Sequence, residues 1–63
     1  MPDIQLTDHG SICTFAPLTE AARAWIEDNV DEDAPWWAGA LAVEPRYADN
    51  LICGMIADGL VIA

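Results

Sequence analysis

Apolar and polar residues alternate over Asp3-Ile4-Gln5-Leu6-Thr7, the period of two that marks a strand with one face covered. Ser11-Ile12-Cys13-Thr14-Phe15-Ala16 continues in the same style, with β-branched and aromatic residues. Between the two lies Asp8-His9-Gly10, where Asp favours turn initiation and Gly accepts the positive φ of a tight hairpin. A β-hairpin over residues 3–16 is predicted. The period then lengthens. Leu18, Ala22, Trp25, Ile26 and Val30 recur at helical spacing, behind Thr19 as a hydroxyl cap and Glu20 in the first turn, where the helix dipole favours an anion. Glu20, Arg23 and Glu27 fall on the opposite side, with Arg23 spaced to pair at i−3 and i+4. This helix is predicted to end near Asn29.

Asp31-Glu32-Asp33-Ala34-Pro35 reads as an acidic loop. Within the apolar run that follows, residues 39–43 read as a short buried strand, and Glu44-Pro45 marks the next boundary because proline suits the first position of a helix. Ala48, Leu51, Ile52, Met55 and Ile56 form a second apolar stripe, stopped by Asp58-Gly59, with Gly59 free to take the left-handed cap. Leu60-Val61-Ile62 completes the chain as a last short strand. The predicted order is β-β-α-β-α-β, with no internal repeat or low-complexity tract. It implies a small α+β domain, a mostly antiparallel sheet with two helices on one face. At 63 residues the chain is one domain, 1–63, and eleven of its apolar residues are alanine, so the core is small and the expected stability modest.

Charge narrows the function classes. Two basic residues, Arg23 and Arg46, stand against 11 acidic ones for a net charge of −9, and there is no lysine. An apolar share of 54% separates the chain from disordered acidic tails. Direct binding of nucleic acid or of an anionic membrane asks for clustered cations, so neither is expected; a partner that is itself basic is permitted. The N-terminus opens on no basic segment followed by an apolar one, and the longest uncharged apolar run, Ala34 to Val43, holds ten residues where a membrane helix needs about 20. A cytoplasmic location is the expectation. In a reducing compartment Cys13 and Cys53, forty residues apart, read as free rather than bridged. With His9 they are too few and too widely spaced for a zinc site, and no metal or cofactor is expected.

The feature with the clearest chemistry is Glu27, Asp28, Asp31, Glu32 and Asp33, five carboxylates in seven positions without a cation. Carboxylates at a helix C-terminus oppose the macrodipole by a few tenths of a kcal/mol each. Stability therefore does not explain their placement, which leaves solubility or a partner. The spacing is wrong for an EF-hand, since counting from Asp31 puts Trp36 and Ala42 where glycine and glutamate are required. Trp36-Trp37 adds an aromatic element. Adjacent strand residues point to opposite sides, so either one indole enters the core while the other stays at the surface, or both lie half-buried under the loop. Thr7, Ser11, Cys13 and Thr14 lie near His9 as ordinary hairpin residues, and no nucleophile–base–orienter set is visible. An enzyme is not expected.

The stretches His9-Gly-Ser-Ile-Cys-Thr-Phe-Ala-Pro-Leu-Thr-Glu-Ala-Ala-Arg-Ala-Trp-Ile-Glu-Asp-Asn-Val30 and Val43-Glu-Pro-Arg-Tyr-Ala-Asp-Asn-Leu-Ile-Cys-Gly-Met-Ile-Ala-Asp-Gly-Leu-Val-Ile-Ala63 resemble small acidic proteins of bacteriophages, prophages and other mobile elements of proteobacteria. Within that group the size, acidity and hairpin-plus-helix organisation are similar to anti-CRISPR proteins, in particular inhibitors of type I systems such as type I-C. The resemblance implies a protein that acts by binding, placing carboxylates where DNA phosphates would lie and occupying the DNA- or PAM-reading surface of a Cascade complex. Charge clustering converges on the same class, because carboxylates at helical spacing lie about 5–10 Å apart, within the range of phosphate spacing along a DNA strand. The expected contact residues, taken from charge clustering alone, are Glu27, Asp28, Asp31, Glu32, Asp33 and Trp36, on a monomer that meets a basic nucleic-acid-binding surface. Two other classes fit the same residues. One is an antitoxin-like or regulatory module that binds a protein through Trp36, Trp37 and Tyr47, its acidity serving solubility only. The other is an oligomeric structural protein.

Overall fold

A computed structural model describes residues 1–31 and 33–63. The chain runs β1 (Ile4–Asp8), β2 (Cys13–Pro17), α1 (Glu20–Asn29), β3 (Trp36–Trp37), β4 (Ala40–Val43) and α2 (Pro45–Ala57). The four strands form one antiparallel sheet in the order β1-β2-β4-β3. The α+β architecture read from the pattern is the observed one, with differences in detail: Asp8 belongs to β1 rather than to the turn, and Ser11 and Ile12 precede β2. The fourth strand is Trp36–Trp37, which pairs back on β4, and the segment expected as the last strand is reduced to a single parallel bridge between Ile62 and Ile4.

Register explains which face is covered. Leu6, Phe15 and Leu41 lie in one cross-strand row, and Ile4 and Cys13 share their side of the sheet. Residues paired across antiparallel strands point the same way, so this row marks one face. Ile4, Cys13, Phe15 and Leu41 pack there with Ala22 and Ile26 of α1 and Ala48 and Met55 of α2 in one buried cluster. Both helices therefore cover the same face. Gln5, Thr7, Thr14, Ala16 and Ala42 alternate onto the other. The apolar stripes are narrower than the pattern predicts, because Leu18 and Ile56, at the margins of their stripes, are exposed.

The element boundaries follow local chemistry. Thr19 has extended backbone and its hydroxyl accepts from the Ala22 amide at 3.2 Å, as expected for a cap. Pro45 opens α2. At its end Leu60 N–H donates to Met55 O and Gly59 N–H to Ile56 O, with Gly59 at φ +90°, the paired bonds of a Schellman cap. The two helices are tied by Trp25 of α1, whose indole N–H donates to Asp58 at 2.6 Å and whose ring lies against Gly54. Arg23 does not form the ion pairs its spacing permits. Among the described residues the ion pair present is Arg46–Glu44, which is exposed and contributes little.

Asp3, read from the sequence as the first residue of a strand, is a clamp. Its carboxylate accepts from the Thr19 hydroxyl at 2.8 Å and from the Val61 amide at 2.9 Å, while its own amide donates to Val61 O. One side chain thus joins β1, the start of α1 and the residues after α2. The Val61 amide, then the Thr19 hydroxyl, hold the Asp3 carboxyl below its ordinary value of 3.8. A carboxyl lowered in the folded state binds protons more readily when unfolded, so its contribution is complete above 3.8 and disappears as pH falls through the lower folded value. Chemical denaturation across that acid range should show stability falling with pH, and Asp3→Asn should remove this part of the slope. An unchanged slope in the variant would mean that the clamp does not operate in solution.

The β3–β4 connection is a two-residue turn in which Ala38 has φ +52° and Gly39 φ +81°. Positive φ at both central positions is the type I′ hairpin geometry, and it strains alanine but not glycine. Ala38→Asn or Ala38→Gly should therefore raise stability by about 0.5–1 kcal/mol, read as a higher melting temperature. A lower one would show that the turn does not hold this conformation.

Candidate functional site

The acidic segment begins on the last turns of α1 and continues into the loop beyond. Val30 ends the helix, its backbone extended and its amide donating to Ile26 O at 2.9 Å. Asp31 then organises the loop. Its carboxylate accepts from the Asp33 amide at 3.0 Å and its carbonyl from the Ala34 amide at 2.9 Å. No basic residue occupies the last turn of α1. Glu27, Asp28, Asp31 and Asp33 are all exposed, and Glu32 lies outside the described residues.

Trp36 returns to this segment because of its register. It pairs with Leu41, whose side chain enters the core, so Trp36 is placed on the helix side of the sheet, at its edge beside α1. An open groove of about 500 Å³ results, lined by Arg23, Ile26, Glu27, Val30, Asp31 and Trp36. Three of the expected contact residues, Glu27, Asp31 and Trp36, are brought together on one groove. Asp28 and Asp33 stand outside its lining.

Neither tryptophan enters the core, contrary to the reading that buries one of them. Trp36 is 44% exposed and Trp37 60%. The physical reason is position: a two-residue strand at the edge of the sheet has a neighbour on one side only, so an indole on either face remains partly open. Trp37 points to the face without helices. There its ring meets that of His9 edge-on, with centroids 5.5 Å apart. His9 is more than a turn residue, since its Nε2 also shares a 3.2 Å hydrogen bond with Thr14 Oγ1. Thr14 is buried on this face, where Gln5 and Thr7 are exposed and Ala16 and Ala42 half-buried. The sequence clue to this pairing is Ala38-Gly39, a two-residue turn that sets Trp37 opposite Ala40.

Cys13 is buried, Cys53 exposed, and both are free. Among the described residues no three His, Cys, Asp or Glu side chains are grouped to hold a metal ion, and no helix is long and apolar enough to cross a membrane. No protein-family model matches the chain, and neither does any curated protein or solved structure. Its chemistry must be read from its own surface. That surface offers a carboxylate-rich ridge with no cation paired to Glu27, Asp28, Asp31 or Asp33 among the described residues, flanked by an exposed indole.

Proposed function

We propose that the protein is an inhibitor that acts by binding, presenting the acidic end of α1 and its following loop to a basic, nucleic-acid-reading surface and excluding DNA from it. The observation that supports this most is the convergence of Glu27, Asp31 and Trp36 on one groove, which Arg23 also lines without an ion pair to either acid, at the end of a carboxylate-rich ridge. Glu27 and Asp28 stand on a helix and Asp31 is hydrogen-bonded to the Asp33 amide, so binding through them loses less conformational freedom than a flexible polyanion would. The likeness in size, acidity and hairpin-plus-helix organisation to anti-CRISPR proteins nominates the partner: the DNA- or PAM-reading surface of a type I Cascade complex. Pull-down of the purified protein from a CRISPR-bearing host lysate at low and high salt, followed by DNA competition on the captured complex, tests the reading. Capture that weakens as salt rises, with loss of target-DNA binding, is the expected result. A captured effector that still binds its DNA at full strength would remove it.

A second reading has one observation in its favour. Trp36, Trp37 and Tyr47 are all exposed, as a protein-binding module built on aromatic contacts requires. In that case Trp37→Ala or Tyr47→Ala would weaken capture more than any change of charge.

A further inference from the structure

Resting on the binding reading above, we propose that the groove between α1 and β3 is a seat for a single arginine side chain of the partner, its guanidinium stacked on Trp36 and held by Glu27 and Asp31. The groove combines three properties that select this group. Its lining includes two apolar side chains, the buried Ile26 and the half-buried Val30, which suit the methylene stem of a long side chain. Its lining includes Trp36, a residue still 44% exposed, whose indole is the preferred aromatic partner of a cation. Its lining also carries two carboxylates, Glu27 and Asp31, planar acceptors of the kind that match a guanidinium fork. Lysine, a compact and strongly hydrated point charge, uses the charge of such a site but not its flat indole.

Arg23 lines the same groove and bears on the test. It sits one helical turn before Glu27 and makes no ion pair among the described residues, so Glu27 keeps its charge available while Arg23 repels an incoming cation. Removing Arg23 should therefore improve the site.

The experiment is a low-salt titration of the isotope-labelled protein with N-acetyl-arginine methylamide, and separately with N-acetyl-lysine methylamide, followed by NMR. The arginine compound should shift the Trp36 indole and the Glu27 and Asp31 amides saturably, and more than the lysine compound does. Trp36→Ala should weaken binding about 2- to 5-fold, the factor a cation–π contact at an exposed site converts to. Trp37→Ala, on the other face, should leave it unchanged. Arg23→Gln should tighten it about 2-fold, as expected for one exposed charge interaction. Equal shifts from both compounds spread over all acidic residues, with Trp36 unmoved, would overturn the groove and leave the acidic inhibitor intact. No shift at all would also overturn the groove. Failure of the inhibitor reading shows elsewhere, in a captured effector that still binds DNA.

Discussion

Ile26→Asp should abolish the cooperative melt of the domain. Ile26 is 2% exposed and packs in the cluster where α1 meets the sheet, so an aspartate there is a charge without a partner in an apolar interior. A chain of this size has about 3–9 kcal/mol of stability at the usual 0.05–0.15 kcal/mol per residue, and a stranded carboxylate exceeds what it can lose. Phe15→Ala, at the centre of the covered face, is the calibrated companion and should cost about 3–5 kcal/mol through lost contacts and the cavity left behind. Ile52→Asp should be milder than the stripe alone implies. Ile52 is half-buried, so an aspartate there can reach water; the melting temperature should fall while the fold persists. Glu20→Gln should change little, since Glu20 is exposed and only its favourable placement in the first turn is lost. Circular dichroism melts of the four variants check the order. Equal tolerance at Ile26, Ile52 and Glu20 would mean that the helices are packed in a different phase.

Reversing Glu27, Asp28, Asp31, Glu32 and Asp33 to lysine in pairs should eliminate inhibition while leaving the fold intact. The two halves of this expectation have separate causes. The described members of the set are exposed, and lysine near the end of α1 favours the helix dipole that the native carboxylates oppose, so the melting temperature should hold or rise slightly. Binding should fall steeply, because each reversal replaces an attraction to a basic surface with a repulsion and slows encounter as well. Asp31 carries a further cost: its carboxylate holds the Asp33 amide, so pairs that include it also loosen the loop. The Glu27/Asp28 pair is therefore the cleaner variant. Full inhibition by that pair, with an unchanged melt, would remove acidic mimicry and direct attention to the tryptophans.

Much of the fold is legible along the chain because its signals are local. Thr19, Pro45, Gly10 and Gly59 act within a turn of their own position, and the structure places each where its side chain or its φ requires. The periods of two and 3.6 identify strands and helices, since alternation and helical spacing record which residues face a common interior. Three of the four strands and both helices, in an α+β arrangement, were within reach of that reasoning.

Pairing was not. Trp36-Trp37 is too short to show a period, and it becomes a strand only because the Ala38-Gly39 turn returns the chain onto Ala40 and Leu41. The same register places Trp36 beside α1 and Trp37 beside His9, an assignment that alternation leaves undecided until one strand is fixed against another. Asp3 is a further case. Its two partners, Thr19 and Val61, lie 16 and 58 residues away, and nothing in Asp3-Ile4-Gln5 distinguishes a clamp from an ordinary strand end. The sequence by itself determined both helices and their caps, three of the four strands and the concentration of charge at residues 27–33, because propensity, capping and composition are properties of neighbours along the chain. Only the tertiary structure decided which acids share a groove with an indole, which stripe residues remain in water and which carboxylate closes the fold, because each depends on contacts between segments that sequence distance does not record.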